Sequence, residues 1–226
     1  LIILPGTKAT IADLAWLRRS GLDEAINDRA EEGSHVLGIC GGFQMLGETL
    51  HDEAGVESLS QSETRGLGLL PLATTFSPDK VTRRVSGTLV GGQGIWSKAM
   101  GAAVSGYEIH MGDTHGLSDS TSELEAFLAL DGRPDGAISS DGRIVGTYLH
   151  GLFHNSPVRE SLLRGVGLGG GVGGRCLGRP RSRIRPSRSH GPSPSGHGTP
   201  SRVTANVPSH HFPSRAGTAG GPTGSA

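Results

Sequence analysis

A glycine-rich turn around a cysteine constrains the fold of this chain more than any other feature of its sequence. The motif, GICGGFQ from Gly38 to Gln44, follows the apolar run HVLGIC and leads into a segment with helical character. A residue on a tight turn between a buried strand and a helix has a strained backbone, and side chains at the flanking glycines would clash. The motif therefore predicts a nucleophilic Cys40 at the carboxyl end of a strand. The alternative is that Cys40 is a small, buried apolar residue.

The order of elements around this turn predicts an α/β fold. Leu1–Leu4 has the composition of a buried strand, closed by Pro5-Gly6, and a helix capped by Thr10 follows. A second helix is expected over 22–32, the strand HVLGIC comes next, and a third helix over about 42–50. This βαβα order is typical of a parallel sheet covered by helices.

The middle of the chain has a different pattern. Short strand-like pieces separated by turns, among them VTRRVSGTL, VSGYEIHMGDT and GRIVGTYLH, predict an antiparallel or mixed extension of the sheet. Asn155 is placed to cap a last short helix over 157–164. We therefore assign residues 1–164 to one domain.

Residues 165–226 have another composition. They are rich in Gly, Ser, Pro and Arg, with eight arginines and no Asp or Glu, so the region up to Arg164 is acidic and the remainder basic. Such a segment cannot bury enough apolar area to offset its ordering entropy, and we expect it to be disordered. A basic Arg-Ser-rich tail could bind nucleic acid, but we favour aberrant sequence without a function.

The cysteines, the lengths of the apolar runs and the first residues bear on the cellular compartment and on whether sequence precedes the chain. There are two cysteines, and because Cys176 lies in the tail a structural disulfide with Cys40 is not expected. No apolar run approaches a membrane span and no signal peptide is visible, so we expect a reducing cytoplasm and no membrane partner. The chain begins without Met inside the apolar run LIILPG, and we expect sequence to precede it.

A cysteine nucleophile needs a base, and histidine is the first candidate. Of the ten histidines, four lie in the tail. His110 and His150 each end a strand-like run, and His150, in GTYLHGLF, stands where sites of α/β proteins gather. We favour His150 as the base and keep His110 as the alternative. Either could instead be a structural histidine.

Two loops could stabilise an oxyanion. The backbone N–H of Gly41 is expected to point to where the negative oxygen would form, near a helix N-terminus that should lower the pKa of the Cys40 thiol. Gly6, in the loop after the first strand, could donate a second hydrogen bond, although an ordinary turn explains it equally well.

Five segments, in this order, resemble one enzyme family: LPGTKATIADLAWLRRSGLDEAI, GICGGFQMLGETL, ETRGLGLLPL, GYEIHMGDT and GTYLHGLF. They are similar to the glutaminase domain of the cobyric acid synthase family, over roughly residues 1–163. The resemblance implies a class I glutamine amidotransferase, with a flavodoxin-like sheet, helices on both faces and a mixed or antiparallel extension, and a domain incomplete at its N-terminus.

The same resemblance implies the chemistry. Cys40 would attack the side-chain carboxamide of glutamine, His150 would carry the proton, Gly6 and Gly41 would form the oxyanion hole, and Gln44 would bind substrate. Ammonia would pass to a preceding synthetase domain that uses ATP and Mg²⁺ to amidate adenosylcobyrinic acid a,c-diamide. No cofactor or metal is implied for the glutaminase domain itself.

Two features depart from the family pattern. Many class I amidotransferases have Glu two positions after the histidine, whereas this chain has Leu152, so Glu108 is a candidate for orienting His150. The synthetase domain and the first strands of the glutaminase domain are expected to be missing from this sequence. The chain by itself is therefore expected not to make cobyric acid, to be poorly folded and to be nearly inactive. The alternatives are the glutaminase domain of a cobyrinic acid a,c-diamide synthase, a lipid II amidotransferase, or a non-catalytic fragment.

Overall fold

The computed structural model of the chain describes residues 1–58, 62–117 and 124–168. The predicted tail therefore lies almost entirely outside the described residues, as does Cys176.

A four-stranded sheet forms the first half of the architecture. Its order is β1-β2-β10-β9, with β1 (Ile2–Leu4), β2 (Val36–Ile39) and β10 (Ile144–Thr147) parallel and β9 (Ala137–Ile138) antiparallel at one side. The registers pair Leu4 with Gly38 and Gly38 with Gly146. Three parallel strands therefore end side by side, and the loops that follow them meet at one edge.

Apolar side chains cover both faces of this sheet. Within β2, Val36 belongs to one hydrophobic cluster and Leu37 to the other, because successive side chains of a strand point to opposite faces. On the Val36 side lie α1 (Thr10–Arg19), α2 (Leu22–Glu31) and α3 (Gly41–Leu46). On the other side, a 3₁₀ helix carrying Trp96 and α4 (Ser156–Gly165) pack together. The prediction of an α/β sheet with helices on both faces is confirmed.

A second, mixed sheet forms the predicted extension. Its order is β11-β6-β5-β3-β4, and β7 and β8 continue from β5. The bounds are β3 Thr49–His51, β4 Glu63–Arg65, β5 Leu72–Leu89, β6 Ala103–Gly116, β7 Leu128–Leu130, β8 Arg133–Asp135 and β11 Leu149–His150. Instead of short pieces, β5 and β6 are 18 and 14 residues long, and they pair antiparallel along most of their length. The chain passes from β10 into β11 through Tyr148 alone, so the two sheets are joined two residues before His150.

Three local predictions need correction. The helix after Cys40 ends at Leu46 rather than near residue 50, because Thr49–His51 pairs with β4 and β5 as a strand. Thr10 does not cap α1: it is the first helical residue, and its hydroxyl donates to Gln44 Oε1 at 3.1 Å. Asn155 occupies the N-cap position of α4, but its side chain bonds instead to the backbone of Ser105.

Candidate active site

Three loops bring the predicted residues together at the carboxyl edge of the parallel strands. Gly6 follows β1, Cys40 follows β2, and His150 lies three residues beyond the end of β10. The Cys40 N–H donates to the carbonyl oxygen of Thr147 at 2.8 Å, which fixes the cysteine against the third of these strands. Parallel strands in register thus place residues that are distant in sequence within one small region.

Cys40 has the strained backbone that the motif predicted. Its φ is +53° and its ψ is −112°, a conformation that is unusual for a residue with a side chain. The flanking glycines are needed for close packing: a Cβ at Gly38 would lie 2.6 Å from the Gly42 carbonyl oxygen, and one at Gly42 would overlap the Leu4 carbonyl. Strain of this kind persists only where the surroundings impose it, and it concentrates at functional sites.

The thiol of Cys40 and the imidazole of His150 share a hydrogen-bond acceptor. Cys40 Sγ and His150 Nε2 each lie 3.2 Å from the carbonyl oxygen of Ile109, on β6. An ideal Cβ at Gly6 would lie 3.0 Å from His150 Cε1 and 3.5 Å from Cys40 Cβ, so the two side chains flank the same glycine. The candidate nucleophile and the candidate base are therefore adjacent, with a carbonyl from the second sheet between them.

The two candidate oxyanion donors lie next to the sulfur. The backbone N–H of Gly41 hydrogen-bonds to the Cys40 side chain, and Gly6 lies between the cysteine and the histidine. A Cβ at Gly41 would lie 2.5 Å from Thr7 Cγ2, so the β1 loop packs directly on the turn. This packing holds both loops in fixed positions, which is what preorganised donors require.

The electrostatics of the thiol differ from the sequence prediction. Burial raises the pKa of Cys40 above its ordinary value, the Gly41 N–H acts in the opposite direction, and the carboxylate of Glu57 adds to the increase. The predicted lowering at the start of a helix is wrong, because α3 has only six residues and the sulfur is largely removed from water. Burial therefore disfavours the thiolate form of Cys40.

Gln44 is buried behind the cysteine, and its amide is held by other groups of the protein. Its Nε2 donates to the Met111 carbonyl at 3.0 Å and lies 3.3 Å from the Tyr148 hydroxyl, while Oε1 accepts from Thr10. The Tyr148 hydroxyl lies 2.6 Å from Thr114 Oγ1. Gln44 lines the cavity described below and joins α1, β6 and the β10–β11 connection. Its predicted contact with substrate stays a prediction.

Glu108 lies on β6 but makes its hydrogen bonds to groups other than His150. Its Oε1 is 3.0 Å from His110 Nε2, and Arg83 reaches both carboxylate oxygens at 2.8 and 2.9 Å. Burial favours a higher pKa for Glu108, but the hydrogen bonds from Arg83 and His110 outweigh it and lower the pKa to about 2. The His150 ring instead has the Ile109 carbonyl as a hydrogen-bond partner.

His110, the alternative base, is a buried member of the same wall. Its Nδ1 lies 2.9 Å from the Gly112 carbonyl, and its ring stacks on Tyr148 with centroids 3.9 Å apart. Both ring nitrogens are thus engaged by protein groups. Of the two histidines, His150 has the position beside Cys40.

A cavity of about 600 Å³ opens over the cysteine. Its lining includes Cys40, His150 and Gly6 together with three charged residues that the sequence did not single out: Lys8, Glu57 and Lys80. Lys8 could have been chosen from the sequence as a candidate site residue, because it lies in the PGTKAT loop two residues after Gly6. Glu57 and Lys80 lie in segments without a catalytic motif, and only the fold brings them to the cavity.

The described residues lack the features of a metal site and of a membrane-spanning helix. In residues 1–58, 62–117 and 124–168, His, Cys, Asp and Glu side chains form no group of three that could hold a metal ion. Within the same ranges, no helix has the length and apolar character that crossing a membrane demands.

Comparison with known proteins gives the family of the chain. The model of the CobB/CobQ-like glutamine amidotransferase domain matches residues 1–158. The chain is 44% identical over 173 residues to a cobyric acid synthase of Rhizobium meliloti and 45% identical over 168 residues to one of Rhodobacter capsulatus. These alignments cover 76% and 74% of this chain, but only 33% and 32% of the relatives. A crystal structure of a glutamine amidotransferase aligns over 72% of this chain and 74% of its own, with 18% identity and a TM-score of 0.46.

The chain is an α/β enzyme domain that carries a cysteine on a strained strand–helix turn with a histidine beside it. The chain belongs to the family of CobB/CobQ-like glutamine amidotransferase domains. It spans about a third of the length of the cobyric acid synthases that it matches.

Proposed function

We propose that this domain hydrolyses glutamine and supplies the ammonia for amidation of a corrinoid carboxylate, as the glutaminase module of a cobyric acid synthase. One observation carries the proposal: Cys40 Sγ and His150 Nε2 each lie 3.2 Å from the Ile109 carbonyl oxygen. The family and the names of its relatives supply the substrate class.

In the proposed reaction, His150 accepts the thiol proton as Cys40 Sγ attacks the carboxamide carbon of glutamine. The N–H groups of Gly41 and Gly6 stabilise the negative oxygen of the tetrahedral intermediate. His150 returns the proton to the departing nitrogen, the C–N bond breaks, and ammonia leaves. Water then attacks the thioester and releases glutamate and the free thiol.

The raised pKa of Cys40 fits a role for an adjacent base. Since burial raises the pKa of the Cys40 thiol, a neighbouring base that takes its proton favours attack on the substrate. His150 is the neighbouring group that can accept it. Activation of the corrinoid carboxylate would use ATP and Mg²⁺ in a synthetase domain outside this chain.

The test measures glutamine hydrolysis by the full chain and maps the site of alkylation by 6-diazo-5-oxo-L-norleucine, an electrophilic glutamine analogue. In contrast to the sequence-based expectation of an inactive chain, the placement of Cys40 beside His150 leads us to expect ammonia release that Cys40→Ala abolishes. We also expect label on Cys40 with none on Cys176. Label on Cys176 alone, or release that persists in Cys40→Ala, would contradict the proposal. A folded chain with neither turnover nor label would support a non-catalytic fragment instead.

The identity of the corrinoid that receives the ammonia is tested by complementation. The chain is mixed with the synthetase segment of the Rhizobium meliloti relative, ATP, Mg²⁺ and glutamine, and offered cobyrinic acid a,c-diamide in its adenosylated form or cobyrinic acid. Amidation of the diamide supports a cobyric acid synthase. Because the synthetase segment could dictate the acceptor, the same mixture is repeated with that segment of a cobyrinic acid a,c-diamide synthase. Amidation only with the synthetase segment of the cobyrinic acid a,c-diamide synthase would overturn the assignment to a cobyric acid synthase.

A further inference from the structure

The loop between β1 and α1 carries Gly6, and both of its ends are fixed against the cysteine turn. At the first end, Leu4 lies so close to the turn that a Cβ at Gly42 would overlap the Leu4 carbonyl. At the second end, the Thr10 hydroxyl donates a hydrogen bond to Gln44 Oε1 at 3.1 Å. The direction of the Gly6 N–H therefore depends on what holds the middle of the loop.

Thr7 holds the middle of this loop with two parts of its side chain. Its methyl group packs on the cysteine turn, since a Cβ at Gly41 would lie 2.5 Å from Thr7 Cγ2. Its Oγ1 accepts a hydrogen bond from the Ala9 N–H at 3.2 Å and donates one to Asp13 Oδ2. One side chain therefore joins the loop both to the turn that carries Cys40 and to the start of α1.

Asp13 closes a ring of hydrogen bonds around the loop. Its backbone N–H donates to the Ala9 carbonyl at 2.9 Å, the Ala9 N–H donates to Thr7 Oγ1, and the Thr7 hydroxyl donates to the Asp13 carboxylate. A carboxylate in the first turn of a helix is favourable through the helix dipole alone. The bond to Thr7 goes beyond that effect, because it fixes the rotamer that keeps the methyl group on the turn.

The loop has little else at Gly6 with which to set its conformation. Gly6 has no side chain, and a Cβ there would lie 3.0 Å from His150 Cε1 and 3.5 Å from Cys40 Cβ, so a bulkier residue would crowd both. Glycine has more conformational freedom than any other residue. Its neighbours must therefore supply the rigidity that a preorganised donor requires.

We propose that Asp13, acting through Thr7, positions the Gly6 N–H as a donor to the oxyanion. The inference rests on the proposed glutaminase function and adds a positioning residue to it. Asp13 is exposed and lies outside the cavity lining, so it acts on the reaction only through the loop. An oxyanion donor contributes in the transition state rather than in the bound ground state, so the loss of its position should affect kcat and leave KM nearly unchanged.

Five variants of the full chain separate the hydrogen bond from charge and packing. Thr7→Val keeps a methyl group against Gly41 and removes the hydroxyl, whereas Asp13→Ala removes the acceptor. Asp13→Asn removes the charge but keeps an oxygen that can accept from Thr7. The fourth variant combines Thr7→Val with Asp13→Ala. Glu24→Ala is the matched control, because Glu24 is an exposed carboxylate in the first turn of α2 and outside the cavity lining.

Two measurements are made on each variant. The ammonia assay gives kcat and KM for glutamine, and amide hydrogen exchange of peptides that cover residues 5–9 reports how firmly the loop is held, with or without turnover. We expect Thr7→Val and Asp13→Ala each to lower kcat by roughly 10- to 100-fold with KM within about twofold, since outright loss of an oxyanion donor costs about 10²- to 10³-fold. Exchange of residues 5–9 should be faster in both.

The other variants test whether the hydrogen bond is the cause. The double variant should have a kcat within about threefold of the slower single variant, because both changes break the same bond. Asp13→Asn should recover most of the kcat that Asp13→Ala loses, and Glu24→Ala should change neither kcat nor exchange. Losses that multiply in the double variant, or an Asp13→Asn as slow as Asp13→Ala, would overturn the inference.

The outcomes separate this inference from the proposed function. If the wild type releases ammonia and the loop of Asp13→Ala exchanges faster without a loss of kcat, the positioning role is wrong and the glutaminase proposal stands. Unchanged exchange in both single variants also removes the positioning role alone. A folded wild type that releases no ammonia overturns the glutaminase proposal, and the positioning role is overturned with it.

Discussion

The carboxylate of Glu108 lies 3.0 Å from the imidazole of His110, and both side chains are buried. Arg83 holds the same carboxylate from the other side. Glu108 was the sequence candidate for orienting His150, but its observed hydrogen bonds go to the other histidine of the site. The arrangement separates two roles: one histidine stands beside the thiol, and the other is fixed within the wall.

This separation predicts different results for the two histidines. His150→Ala should lower kcat for glutamine hydrolysis by about 10²- to 10⁴-fold, the usual scale of acid–base assistance, and leave the melting temperature nearly unchanged. His110→Ala should lower the melting temperature, because it leaves Glu108 without a buried partner and removes the ring stacked on Tyr148. Assays and melting curves of both variants check the assignment. The reverse pattern would make His110 the base.

The pKa of Cys40 predicts how alkylation depends on pH. Only the thiolate is reactive, and burial raises the pKa of the thiol, so the fraction of thiolate in the empty site should rise at higher pH than for a free cysteine. The rate of inactivation by iodoacetamide, measured from pH 6 to 10 alongside glutathione, should have its inflection on the alkaline side of the glutathione curve. An inflection on the acidic side would show that the turn activates the thiol without substrate.

Some of this site could be predicted from sequence and some could not. The position of Cys40 and the need for Gly38 and Gly42 follow from local steric constraints, so the short motif GICGGFQ is enough to predict them. The Ile109 carbonyl has no sequence signature, because every residue has a carbonyl and only strand pairing decides where it points. Glu57 was missed for a similar reason: its loop reaches the cavity through the hydrogen bonds of Asp52, which no local pattern reveals.

The predicted length of the helix after Cys40 is too great, because the apolar pattern of the sequence continues beyond Leu46, where the helix ends. Gly47 is extended, with a ψ of 176°, and Glu48 N–H donates to the Leu72 carbonyl at 2.8 Å. Pairing with a distant strand thus replaces the helical hydrogen bonds that local propensity favours. Such long-range competition is the usual reason why element boundaries cannot be taken from sequence alone.

Gly146, on β10, predicts a packing conflict that can be relieved. A Cβ at this position would fall within the ring of Phe43, which itself meets Tyr148 edge-on with centroids 5.2 Å apart. Gly146→Ala should therefore lower the free energy of unfolding by about 1–3 kcal/mol, as overpacking does. It should also reduce activity, because it displaces Phe43, which lies three residues after Cys40. Urea denaturation and the ammonia assay measure the two effects.

The matched control is Phe43→Leu, alone and combined with Gly146→Ala. If the ring is the obstacle, the double variant should lose less stability than the sum of the single losses, with a coupling of about 1 kcal/mol or more. Additive losses would place the conflict elsewhere in the strand.

The depressed pKa of Glu108 predicts an acid-sensitive contribution to stability. Its folded-state pKa of about 2 lies below the ordinary value of about 4.3, so the contribution is complete above the ordinary value and disappears as the pH falls towards 2. Glu108→Gln lacks this contribution. The difference in melting temperature between wild type and Glu108→Gln should be constant above about pH 5 and shrink between pH 4 and 2, and a difference that stays constant throughout would contradict this account.

The acceptor shared by Cys40 and His150 belongs to the main chain of Ile109, which has a consequence for how the site tolerates mutation. A side chain at position 109 can be exchanged without deleting the carbonyl, so no single substitution there removes the group outright. The geometry is encoded instead by the pairing of β6 with its neighbours, and changes in strand register are what would misplace it. The presence of this acceptor is thereby independent of the identity of residue 109, whereas its position is sensitive to insertions or deletions in the strands around it.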